Sequence, residues 1–145
     1  MYIATLHLHR SLWALALILP AVILFKAALN WSKKRGPSQF DNRMVNINVW
    51  VFRIQLLIGL ILYAFLSPIT QAAFADFKAA MKNAELRYFA VEHITLMIVA
   101  VVLAHLIKIL PAKKEGVKSS ISQMVWALVL FIVIVIGTPW GRFIS

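Results

Sequence analysis

Four stretches of the chain, residues 11–25, 54–75, 94–107 and 119–141, contain no Asp, Glu, Lys or Arg. A helix that crosses a bilayer needs about 20 predominantly apolar residues, so the pattern predicts four spans, over about 6–31, 45–66, 87–110 and 120–138. Their ends are marked chemically. Ser32-Lys33-Lys34-Arg35-Gly36-Pro37 closes the first, because Gly-Pro cannot continue a helix and three cations do not enter lipid. Ser67-Pro68 closes the second, Pro111 the third and Pro139 the fourth. Apolar runs joined by short polar links predict an all-α, antiparallel bundle of four transmembrane helices forming a single domain over 1–145.

The link between the second and third spans carries a pattern of its own. Phe74, Phe77, Met81, Ala84 and Tyr88 recur at helical spacing, with Asp76, Lys78, Lys82 and Glu85 off that stripe. The spacing predicts a short amphipathic helix over about 71–86, lying on the membrane surface.

Composition agrees and narrows the chemistry. Of 145 residues, 62% are hydrophobic and 14% charged, against about 25% charged in soluble domains. With no cysteine there is no disulfide, thiolate metal site, iron–sulfur cluster or covalent c-type haem. The formal charge of +10 is carried by Lys and Arg at the ends of the apolar runs. That placement predicts membrane-flanking charge rather than a nucleic-acid face. The first loop holds Lys33, Lys34, Arg35 and Arg43, and the third holds Lys113, Lys114 and Lys118, with Lys108 just before it. The positive-inside rule then places these loops in the cytoplasm and both termini outside.

Polar residues inside the spans are expensive and therefore informative. They are His7, His9, Arg53, Gln55, Glu92, His93 and His105. His9 and His93 come from different helices at similar depth near the outer end. Two neutral imidazoles facing across a bundle are the usual axial ligands of a b-type haem. Stepping about 100° per residue, the His9 face continues through Ala16 and Pro20, and the His93 face through Met97, Ala100 and Ala104. Those residues leave room for a flat macrocycle or for close helix packing.

His7 is two residues from His9 and points to nearly the opposite side, as an interfacial side chain. Glu92 is expected either in a boundary ion pair with Arg87 or as a proton acceptor at a quinol pocket. His105 lies 12 residues beyond His93, about 18 Å along the axis and rotated by about 120°, so it faces another groove. Its partner by depth is Arg53, which stays charged and does not ligate iron. Arg53 is left to clamp a propionate, a lipid head group or a quinone carbonyl, or to snorkel to the surface.

Several motifs resemble a family of small bacterial four-span membrane proteins labelled "cytochrome b". They are Leu6-His7-Leu8-His9, Asp41-Asn42-Arg43, the run from Gln55 to Tyr63, Ser67-Pro68, and above all Arg87-Tyr88-Phe89-Ala90-Val91-Glu92-His93. The resemblance covers nearly the whole chain. It implies a haem b protein of membrane electron transfer, with His9 and His93 as ligands. Two positions depart from the family pattern. Leu12-Trp13 stands where an Arg before an aromatic is usual, with Arg10 nearby instead, and Arg53 stands where a His often precedes the Gln-Leu-Leu-Ile-Gly run. The second departure implies that an inner haem, which would use His105, is lost.

The expected function is therefore electron transfer between a membrane quinone and a partner redox protein, with haem b held by His9 and His93. The lipid bilayer and other membrane redox subunits are the expected partners. The rival expectation is a cofactor-free accessory subunit of a larger membrane complex, whose histidines only bond helix to helix.

Overall fold

The computed structural model describes residues 1–141 and is all-helical over them. Four helices long and apolar enough to cross a membrane cover Tyr2–Ser32, Gln39–Leu66, Ala84–Lys113 and Gly116–Gly137. The first is α1 (Tyr2–Ser32). The second is α2 (Gln39–Ile61), extended by a π-helical turn over Leu62–Leu66. Short helices α3 (Pro68–Ala75), α4 (Phe77–Ala80) and α5 (Ala84–Arg87) follow. A second π turn, Tyr88–Glu92, leads into α6 (His93–Ile109) and a 3-10 turn at Pro111–Lys113, and α7 (Gly116–Gly137) closes the bundle.

Each long helix packs antiparallel on its sequence neighbour, and α7 packs back on α1, so α1 and α6 lie on one diagonal and α2 and α7 on the other. Lipid tails are as apolar as leucine, so membrane helices associate by close packing more than by the hydrophobic effect. The interior fits this: Ala16, Ala27, Ala100, Ala104 and Ala127 are all buried, interleaved with Ile23, Leu103, Ile107, Leu130 and Ile134. Large apolar side chains such as Phe25, Leu57, Val102 and Ile136 face outward instead. The small-residue faces expected to continue from His9 and His93 thus form the core.

The helices begin earlier than apolarity predicts. α2 starts six residues before Val45 because Ser38 and Asp41 form a capping box, in which the Ser38 hydroxyl accepts from the Asp41 N–H and Asp41 accepts from the Ser38 N–H. Asp41 also accepts from Asn30 of α1 at 2.8 Å and pairs with Lys26 at 3.6 Å, so the first corner is a buried polar clamp. The two basic loops meet at this end. A side chain on Gly36 would come 3.2 Å from the Gly116 carbonyl, and Gly116 itself takes φ +54°, a conformation that favours glycine.

Between α2 and α6 the chain is helical, as the stripe predicts, but it is broken into three pieces rather than one helix over 71–86. The Asp76 side chain accepts from the Ala79 N–H, and the Asn83 side chain accepts from the Glu85 and Leu86 N–H groups. Side-chain caps of this kind stop one helix and start the next. The packing contact is made by Ala73, Ala80 and Ala90, while Phe74 and Phe77 remain about half exposed.

Candidate functional site

At the end that holds the N-terminus, α1, α2, α6 and the end of α7 border a partly open cavity of about 140 Å³, with His9 and His93 among its walls. The two imidazoles come from diagonally opposed helices and meet across the bundle, ring centroids 6.5 Å apart and planes at 78°. The rest of the wall is largely apolar: Phe52, Leu56, Gly59, Leu62, Met97 and Val101. Both π turns border the space, through Leu62 and Tyr63 on one side and Phe89 on the other. A π turn inserts one residue into the helical register, a device common at functional sites.

His93 is oriented by the end of α7. Pro139 stops that helix, leaving the Gly137 carbonyl without an intrahelical donor. Tyr88 donates its hydroxyl to that carbonyl at 2.7 Å, and His93 Nδ1 lies 2.8 Å from it. A carbonyl only accepts, so Nδ1 carries the proton and Nε2 keeps a lone pair.

His9 is held differently. Gln55 Nε2 donates to the His9 backbone carbonyl at 2.9 Å, whereas His9 Nδ1 and Gln55 Oε1 are both buried without a partner. The ring packs against α2 where Gly59 leaves space, since a Cβ there would stand 3.2 Å from His9 Cε1. His7 is exposed on the outside of α1, as its spacing requires.

The donor set suits a bis-imidazole metal centre. With metal–nitrogen bonds of about 2 Å, two Nε2-bound imidazoles have centroids about 6 Å apart. No cluster of three or more His, Asp or Glu that could hold a bare metal ion occurs among the described residues. As it stands the cavity is of the size that takes a single aromatic ring, about 150 Å³ for benzene in a comparable cavity. A macrocycle is larger than this space and would need lining side chains to move.

The other expected site residues fall in two places. Glu92 does not line the cavity. Its carboxylate accepts from Arg87 at 2.8 Å with both side chains nearly half exposed, the geometry of the boundary ion pair. Arg53 and His105 come together, as their depths predict: Arg53 Nε donates to His105 Nε2 at 3.1 Å. His105 Nδ1 lies 2.7 Å from the Val101 carbonyl, so both ring nitrogens are engaged and neither is left for a metal. Composition and spacing do not point to the roles of Gly59, Gly137 and Tyr88, because each depends on an approach between distant helices. Comparison of the chain with protein-family models, curated proteins and solved structures finds no match in any of the three.

Proposed function

We propose that this chain is a b-type haem-binding membrane protein that passes electrons between a membrane quinone and a partner redox protein, with His9 and His93 as the residues that would hold the haem iron. The observation that carries the reading is the pair of imidazoles opposed across the core at 6.5 Å, one of them with its Nδ1–H tied to a carbonyl. A ligating His usually donates its other ring N–H in this way, which fixes the tautomer and raises ligand basicity. The bound haem supplies reversible one-electron chemistry, and the protein's part is to hold it and tune it.

Gly137 and Tyr88 orient His93, and Gly59 admits the His9 ring. Arg10 also lines the cavity. The inner level holds no second haem, because Arg53 occupies His105. The chain resides in a bacterial cytoplasmic membrane with its two basic loops in the cytoplasm, as the Lys and Arg of those loops favour.

The test is a dithionite-reduced minus air-oxidised visible spectrum of detergent-purified protein made with ample haem, together with haem-to-protein quantitation. The reading expects one haem per chain and its loss in both His9→Ala and His93→Ala, each still inserted in the membrane. A colourless, well-folded protein overturns it and favours the accessory subunit. Two haems per chain overturn the assignment of the inner level.

A further inference from the structure

On the lipid-facing side of α2, Arg43, Asn46, Trp50 and Arg53 form one exposed stripe at successive spacings of three, four and three residues. From Ile47 onward this face is apolar, through Trp50, Ile54, Leu57 and Leu60, all exposed. Arg53 is the exception, a cation lying six residues, or about 9 Å of helix, inside the apolar surface. It lines no part of the haem-site cavity. A lipid-facing arginine is costly at that depth unless its charge is met, and its long side chain can reach back toward the interface.

The guanidinium is held rather than loose. Its Nε–H is spent on His105 Nε2, the imidazole being fixed in turn by the Val101 carbonyl. Its Cζ lies 5.1 Å from the Trp50 ring centroid, a cation–π distance. Ring and imidazole orient the group and leave the paired Nη nitrogens as the free edge. That edge is the fork that binds phosphate through two parallel hydrogen bonds. No ion pair among the described residues includes Arg53. Lys108 of α6 is exposed one turn from His105, and Arg43 is exposed ten residues before Arg53 on α2. Beyond the buried Asp41, neither α2 nor α6 carries a carboxylate.

We propose that the α2–α6 groove is a binding site for one anionic phospholipid, whose phosphate seats on the Arg53 fork beside Trp50 and whose acyl chains lie along Ile54 and Leu57. An anionic head group is favoured over a zwitterionic one because the latter brings its own cation beside Arg53, where neither α2 nor α6 offers an exposed carboxylate. The proposal does not rest on the haem reading, and its test needs no cofactor.

Native mass spectrometry of the full chain in detergent, titrated with phosphatidylglycerol or phosphatidylcholine, is the experiment. Wild-type protein should retain one phosphatidylglycerol in preference to phosphatidylcholine, and excess inorganic phosphate should not displace it, because the acyl chains contribute. Arg53→Gln should weaken retention by about tenfold, the scale of one charge-assisted contact. Arg53→Lys should fall between, since it keeps the charge and loses the fork. Lys78→Gln, at the opposite end of the bundle, should change nothing, and circular dichroism should show every variant folded. Equal retention of the two lipids, or equal retention by wild type and Arg53→Gln, overturns the proposal. So does an Arg53→Gln variant that keeps its lipid but dissociates a wild-type oligomer, which would assign the fork to a carboxylate on a neighbouring protein helix.

Discussion

His93 Nδ1 and the carbonyl oxygen of Gly137 lie 2.8 Å apart, and this contact links the last turn of α7 to the centre of the candidate site. The carbonyl is available because Pro139 ends the helix, and it receives Tyr88 as well as His93. One helix terminus thereby fixes a tautomer on another helix.

Gly137→Ala tests that link. A Cβ at this position would come 2.6 Å from Met97 Cε and 3.2 Å from Leu96 Cβ. The Met97 methyl can swing away, but Leu96 Cβ is fixed to its backbone, so α6 and α7 must part slightly. Overpacking of this kind costs about 1–3 kcal/mol. The expected result is a lowered thermal midpoint in detergent together with a weakened His93–carbonyl bond, read as a changed His93 ring signal in NMR. An unchanged midpoint would mean that the two helices are not packed this closely.

Gly59→Ala acts on the other imidazole and should separate stability from site geometry. The added Cβ would stand 3.2 Å from His9 Cε1, tighter than ordinary contact. In exchange, alanine is favoured over glycine in a helix by about 1 kcal/mol. Stability should therefore change little, while the His9 ring is pushed from its seat. If the proposed haem is held there, its content and the sharpness of the reduced spectrum should both fall. A variant with a wild-type spectrum would show that His9 does not depend on the space at Gly59.

Asp41→Ala addresses the polar clamp at the first corner. The carboxylate accepts from Asn30, from the Ser38 N–H and from the Ser38 hydroxyl, and it pairs with Lys26. Losing hydrogen bonds to a buried charge costs about 1.5–3 kcal/mol. Denaturant unfolding in detergent should show a loss on that scale. Asp41→Asn, which keeps the shape and some acceptor capacity, should lose less.

Much of the bundle was legible in the chain because the bilayer imposes a length and an apolarity that few other environments demand. Meetings across the bundle could be anticipated wherever depth alone decided them. Arg53 and His105 pair, and His9 and His93 face, because residues counted from their helix ends arrive at the same levels. Three features were not legible. The π turns at Leu62–Leu66 and Tyr88–Glu92 have no compositional mark, since they change register rather than residue type. The breaks at Asp76 and Asn83 come from side chains competing for backbone N–H groups, which a hydrophobic stripe does not record. The Lys26–Asp41 contact needs α1 and α2 to be docked before the two residues are neighbours.

The absence of cysteine allows the orientation to be measured directly. Ser38→Cys lies in the first basic loop and Lys82→Cys in the segment at the opposite end, and both positions are exposed. An impermeant maleimide applied to intact cells should label Lys82→Cys and spare Ser38→Cys until the membrane is opened. The reverse pattern would overturn the placement of the basic loops in the cytoplasm.

Asn48 offers a prediction of opposite sign, a polar-to-apolar change that should stabilise. It is fully buried on α2, and both polar atoms of its carboxamide lack a partner. A buried polar group without a hydrogen bond carries a desolvation penalty of about 1–3 kcal/mol, and an apolar side chain of similar shape removes it. Asn48→Leu, which keeps the branching at Cγ and suits a helix, should therefore raise the unfolding midpoint, less what its larger volume costs in overpacking. Asn48→Ala separates the two contributions, because it also removes the penalty but leaves a cavity, whose cost grows with the volume vacated. The order expected by denaturant unfolding is Leu above Asn, with Ala below Leu. If Leu instead falls below Asn, either overpacking outweighs the penalty removed or the carboxamide has a partner in the folded protein, such as a bound water, that its neighbouring side chains do not supply.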